Sequence, residues 1–265
     1  MTDSPSPASP APGFSPPTPE PSATGWVAPP ALPVRTPSPF RSAATRARWV
    51  VWLLMANVLL AIVSVGLSLW GKATMAGYEA GDLDVADLDR FDALWQSSGL
   101  VAIAVYIPTV IAWLAWSSRT VDNEDALRIG PSKYTPRMAI AWWFLPFANL
   151  IVPYRVHRDI YDRYHRGVAA GAGIVVLWWV VWLVDNIFGN VVGRYWLAAE
   201  TFPALQTGLT LFVASALLTA VSAIIAITLV QRIQRRADVV AASPVEPETA
   251  SATVAGSLDV GDRPA

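Results

Sequence analysis

Residues 138–153 read Met-Ala-Ile-Ala-Trp-Trp-Phe-Leu-Pro-Phe-Ala-Asn-Leu-Ile-Val-Pro, and how this stretch threads decides the fold. Met138 to Val152 gives fifteen residues before Pro153, whereas a helix needs about 20 to cross a hydrocarbon core of about 30 Å. Pro146 interrupts even these, because it has no N–H to donate and its ring collides with the preceding turn. The stretch is short for a span and reads as a re-entrant or interfacial segment.

Four longer apolar stretches surround it. Trp49–Trp70 and Trp95–Trp116 each separate two indoles by 21 residues, about 31 Å of helix, which places each ring at a headgroup boundary. Stretches over about 168–188 and about 205–230 are also long enough to cross. Lipid leaves no water for unpaired backbone groups, so each crossing must be helical. Lys and Arg favour the cytoplasmic ends of spans, and their placement discriminates between threadings. If 138–153 returns to the side it came from, fifteen lie inside and three (Lys72, Arg90 and Arg194) outside; if it crosses, the two sides hold nine each. The expected architecture is an all-α polytopic membrane helix bundle: four transmembrane helices, a Pro-broken re-entrant segment, an amphipathic cytoplasmic helix and disordered termini, both cytoplasmic. An external loop over 71–94 is expected to be acidic, with Glu79, Asp82, Asp84, Asp87, Asp89 and Asp92.

Composition agrees with that reading. Of 265 residues 54% are apolar and 15% charged, with a mean hydropathy of +0.40; soluble domains carry about 25% charged residues, so an ordinary soluble globular fold is excluded. The absence of cysteine excludes disulfides, thiolate metal sites, Fe–S clusters and a cysteine nucleophile. A net charge of −1 supplies no basic field for nucleic acid. Two Lys against seventeen Arg fit the coding bias of a GC-rich bacterial genome. Residues 1–46 hold thirteen of the 22 prolines and are expected to form a disordered cytoplasmic tail. Its P-x-x-P spacings at Pro7/Pro10, Pro16/Pro19 and Pro30/Pro33 suit an aromatic docking groove, and Thr36-Pro37-Ser38-Pro39 suits phosphorylation. No basic segment followed by an apolar one opens the sequence, so the first apolar stretch is expected to act as an uncleaved anchor. Residues 237–265 read as a second disordered tail.

After Pro153, residues 154–166 form an amphipathic pattern. Arg155, Asp159 and Arg163 fall at i, i+4 and i+8, as do Arg158, Asp162 and Arg166, which makes two charged ladders on one face. Val156, His157, Ile160, Tyr161, Tyr164 and His165 take the other face, expected to lie on the anionic inner leaflet. His157, Tyr161 and His165 share a stripe, but ligands two turns apart stand about 12 Å distant and do not meet at one ion.

Asp185 and Asn186 lie in the outer third of the long stretch over about 168–188, where a carboxylate demands a partner or a water-filled path. A gating or proton-linked role competes there with an interface carboxylate bonded to its neighbours or to Arg194. Asn57 and Asn149 are candidates for hydrogen bonds between helices. Pro108 is expected to kink its helix, and Ser215, Thr219, Ser222 and Ala226 form a small-residue packing stripe. Trp178, Trp179 and Trp182 lie too deep for an interfacial belt and are expected to fill the bundle, with an aromatic ligand pocket as the alternative. No H-E-x-x-H, G-x-S-x-G, phosphate-binding or dinucleotide-binding pattern is present.

The run Trp142-Trp143-Phe144-Leu145-Pro146-Phe147-Ala148-Asn149-Leu150-Ile151-Val152-Pro153-Tyr154-Arg155, continuing to Arg158-Asp159-Ile160-Tyr161, resembles the signature of the bacterial membrane family called domain of unknown function 4328. The resemblance takes in Trp116, Arg119, Asn123, Leu127 and Gly130, and the Trp-rich stretch with Asn186, over about 47–236. It departs at Ser117-Ser118, where an aromatic or basic pair is expected. The resemblance implies an integral membrane protein without an assigned activity. The expectation is therefore a non-enzymatic scaffold, sensor or accessory protein of the cell membrane, without cofactor or bound metal. A small transporter or channel using Pro146–Pro153 and Asp185 is the alternative. Expected partners are the lipid bilayer, a protein that docks on the Pro-rich tail, and a second copy of the chain.

Overall fold

Unbroken apolar sequence leaves backbone amides no partners but one another, and helices result. The computed structural model describes residues 39–130, 132–166, 168 and 171–243. The P-x-x-P spacings, Thr36, Ser38 and the chain after 243 lie outside the described residues. Six α-helices follow in order: α1 (Ala44–Ala80), α2 (Val85–Ala126), α3 (Pro136–Ala141), α4 (Val152–Tyr164), α5 (Gly173–Leu197) and α6 (Phe202–Ala242). A 3-10 turn, Ala148–Leu150, joins α3 to α4, and no strand occurs among the described residues.

Helices α1, α2, α5 and α6 are each long and apolar enough to cross a membrane. Their outer faces suit lipid: Trp52, Leu59, Ile103, Ile111 and Ile187 are all more than half exposed. At 37 and 42 residues, α1 and α2 reach about 56 and 63 Å, twice the hydrocarbon thickness. The acidic loop expected over 71–94 is therefore mostly helix, with only Gly81 to Asp84 between α1 and α2. Two local devices make this turn. Gly81 adopts φ 80°, the left-handed geometry that ends a helix at little cost to glycine. The Asp84 carboxylate accepts from the Asp87 N–H while the Asp87 carboxylate accepts from the Asp84 N–H, each at 3.3 Å, a capping box that starts α2. At the far end α6 continues to Ala242, into the stretch expected to be a disordered tail.

The four long helices run alternately up and down. At one end Met75, Phe91 and Leu209 form a small core, and Trp95 packs edge-on to Phe212 at 5.0 Å and tilted on Trp196 at 5.3 Å. The other end gathers the start of α1, the end of α2, α4 and the end of α6. There Asn123 grips the chain before α1 at two points, donating to the Arg41 carbonyl at 2.9 Å and accepting from its N–H at 3.3 Å. The longest seam joins α1 to α6.

Helix α4 corrects the expectation of a helix lying on lipid. Its apolar face (Val156, His157, Ile160, Tyr161 and Tyr164) is buried to 1% or less and packs on α2, α5 and α6. An amphipathic stripe requires an apolar cover, and here protein supplies it. Both ladders form in part, as Arg158 Nε donates to Asp162 at 2.8 Å and Arg163 Nε to Asp159 at 2.7 Å. Trp116 is also a correction: it is fully buried beside Trp113, centroids 5.4 Å apart, rather than held at a headgroup boundary. The segment between α2 and α5 begins and ends at one place. A Cβ on Gly130, at φ 113°, would stand 3.3 Å from guanidinium nitrogens of Arg163 and Arg166.

Candidate functional site

Along α5, Trp178, Trp182, Asp185 and Asn186 fall at i, i+4, i+7 and i+8 and so share one stripe. Opposite them α6 presents Ser215, Thr219 and Ser222, side chains too small to fill the space. Asn57 of α1, Tyr106 and Thr109 of α2, and Trp143 and Asn149 of the broken segment close the circuit around a cavity of about 650 Å³. That volume falls in the usual range of small-molecule sites, about 300–1,000 Å³.

Hydrogen bonds fix the polar lining. The Thr219 hydroxyl donates to Asp185 Oδ1 at 2.7 Å, tying α6 to α5. Asn57 Nδ2 donates across helices to Thr109 Oγ1 at 2.9 Å and along its own helix to the Leu53 carbonyl at 2.7 Å. Asn186 Nδ2 caps the Trp182 carbonyl at 2.8 Å. Asn149 lines the cavity, yet its Oδ1 has no hydrogen-bond partner among the described residues. Asp185 is the one formally charged side chain in the lining, and its partner is Thr219 rather than Arg194.

An aromatic layer closes the cavity toward α4. His157 lies between Trp113, stacked at 5.3 Å, and Trp178, tilted at 4.9 Å, while Trp143 meets it edge-on at 6.2 Å. The Pro153 carbonyl only accepts, so at 2.8 Å it fixes the proton on His157 Nδ1. Nε2 then accepts from the Ser117 hydroxyl at 3.0 Å. Burial pushes this imidazole down to about 4. Ser117, where the sequence departs from its resemblance, thus sits inside a helix as the partner of a buried histidine. His165 takes a different role, stacked on Tyr161 at 4.0 Å.

Of the residues expected to matter, Trp143, Asn149, Asp185 and Asn186 meet at the cavity. The others hold the segment instead. Pro146 accepts from the Ala148 N–H at 2.7 Å inside the turn, where Phe147 adopts φ 62° and is 85% exposed. Pro153 orients His157, and Tyr154 packs on Trp179 at 6.5 Å. Trp179 donates its indole N–H to the Leu150 carbonyl at 3.2 Å. Trp142 is outside the lining and Arg155 is exposed.

A second polar cluster adds a buried carboxylate, Glu124, to the Asp159–Arg163 ladder. Glu124 is 1% exposed, with Arg163 Nε 3.4 Å from Oε2. The single Nε–H already donates to Asp159 at 2.7 Å, so Glu124 is held by charge rather than by that hydrogen bond. Lys133 Nζ reaches Asp159 at 3.3 Å. Nearby, the Tyr164 hydroxyl donates to the Thr120 carbonyl at 2.9 Å, and burial pushes the phenol up.

A family model described as Domain of unknown function (DUF4328) matches residues 79–235, more than half of the chain, including α2 through most of α6 and hence most of the cavity wall. No curated protein and no solved structure matches.

Proposed function

The chain belongs to the family described as Domain of unknown function (DUF4328), and from its own geometry we propose a non-enzymatic, multi-pass cell-membrane protein that binds a small molecule between its helices, as a sensor or accessory component. One observation carries the reading: polar side chains from α1, α2, α5, α6 and the broken segment converge on one cavity inside otherwise apolar helices. Polar groups at bilayer depth are costly, and a site is the default explanation for several facing one space. The aromatic layer at His157 makes the cavity a dead end toward α4, which favours binding over conduction. In this reading the 127–166 segment turns back to the cytoplasmic side, with both termini there and Arg155, Arg232 and Arg235 exposed toward anionic headgroups. The Pro-rich tail would dock a protein partner from the same side.

The test uses a neutral aromatic probe, 1-naphthol, on the detergent-purified chain. Saturable binding that is abolished by Ser215→Phe, which fills the cavity, and kept by Ala214→Phe, beside it but outside the lining, supports the site. Binding unaffected by Ser215→Phe refutes it. A small transporter is the second reading, favoured by Asn149 and Asp185 lining the same space. Reconstituted solute flux unchanged by Asp185→Asn and Asn149→Ala would remove it.

A further inference from the structure

The cavity carries one formal negative charge and no positive one. Asp185 is joined only by a neutral hydroxyl, and the lining contains no Lys, Arg or His. Arg194, on the same helix, is nine residues away, about 13 Å along the axis, and makes no ion pair with it. A carboxylate withdrawn from water with no cation beside it is unfavourable, and an occupant bearing positive charge relieves that cost.

The remaining walls suit the same occupant. Trp182 lies one turn from Asp185 and Trp178 two turns away, on the same stripe of α5. Trp143 meets Trp182 edge-on at 5.4 Å, so the two indole planes are nearly perpendicular, at 88°, and form a corner. Indole faces attract cations, most strongly those that shed their water readily, such as quaternary ammonium and other onium centres.

We propose that this cavity takes a lipophilic cation, an ammonium or related onium centre on an apolar body, with Asp185 as counter-ion and Trp143 and Trp182 as its aromatic corner. The proposal rests on the cavity binding a small molecule at all, and names its class. The same chemistry has two sources: a free hydrophobic amine or quaternary salt, and the ammonium headgroup of an ethanolamine lipid.

Equilibrium dialysis of the purified chain in uncharged maltoside micelles against radiolabelled tetraphenylphosphonium provides the test. Tetraphenylborate, nearly the same in size and shape and opposite in sign, is the control, dialysed separately because the two ions precipitate together. Expected are saturable binding of one cation per chain, no saturable binding of tetraphenylborate, and an affinity reduced about tenfold or more in Asp185→Asn. Asparagine keeps an oxygen for the Thr219 hydroxyl, so the fold survives that change, and Trp182→Phe, which keeps an aromatic ring but weakens the corner, should lower affinity several-fold. Displacement by added phosphatidylethanolamine identifies the lipid headgroup as the source, and its absence a free cation. Equal binding of the two ions, or an Asp185→Asn variant that binds as the parent does, overturns the proposal while 1-naphthol binding leaves the cavity standing. Binding of neither tetraphenylphosphonium nor 1-naphthol overturns the proposal and the cavity reading together.

Discussion

His157 is fully buried beneath the cavity, stacked on Trp113, packed against Trp178 and hydrogen-bonded through both ring nitrogens, and it makes folding stability depend on pH with a definite sign. In the unfolded chain the imidazole takes up a proton near 6.5, whereas in the folded chain burial delays this to about 4. Above 6.5 neither state is protonated and the fold has its full stability. Between 6.5 and about 4 only the unfolded state gains a proton, so stability falls by about 1.4 kcal/mol per pH unit, about 3 kcal/mol in all, and this loss levels off below about 4. Thermal unfolding in maltoside micelles, followed by near-ultraviolet circular dichroism at several values between pH 7.5 and 4, measures the slope. The carboxylates titrate in the same window, so the diagnostic quantity is the difference between the parent and His157→Gln. That variant is less stable at pH 7.5, through lost stacking, and the gap narrows by about 3 kcal/mol as the pH reaches 4. Parallel stability curves for the two proteins would refute the account of a neutral histidine held by burial.

Other changes read other contacts. Arg163→Met leaves Glu124 buried without its cation and should cost about 3 kcal/mol; the double variant with Glu124→Gln recovers part of that in the same melt, and equal losses would show that the pair is not coupled. Asn57→Ala removes one hydrogen bond between α1 and α2, about 0.6 to 1 kcal/mol, and Thr109→Val should cost as much without adding to it. A Cβ on Gly71 would collide with the ring of Phe91, so Gly71→Ala should lower stability by about 1 to 3 kcal/mol. With no native cysteine, an impermeant maleimide applied to intact cells should label Ala80→Cys but not Arg155→Cys; labelling of both would place α4 outside and end the returning threading of 127–166.

What could be read from the sequence was what lipid imposes. An apolar run of about 20 residues admits only a helix, so the existence of α1, α2, α5 and α6 was legible. Their lengths were not, because beyond the bilayer an end is set by local caps such as Asp84 and Gly81. Asp185 stood out as a carboxylate in an apolar run, and Asn149 beside two prolines, but nothing in their spacing along the chain said that they face one space. Thr219 read as packing, since a small hydroxylated side chain serves close approach and hydrogen bonding equally well. Glu124 was invisible for a different reason. Arg119-Thr-Val-Asp-Asn-Glu-Asp125 looks like a solvated stretch, and its burial arises only when α4, some thirty residues later, folds back over it. Helical periodicity likewise identified the apolar face of α4 but not whether lipid or protein covers it.

The long seam between α1 and α6 also bears on biosynthesis. About 160 residues separate the end of α1 from the end of α6, which at elongation rates of about 5–20 residues per second is a delay on the order of 10 s. For that interval the nascent first helix sits in the bilayer without its principal neighbour, able to form only the hairpin with α2. Docking of the Pro-broken segment waits as well, since the indoles that clamp it arrive with α5. Assembly of this protein is thus ordered by the ribosome, and its final step joins the first helix made to the last.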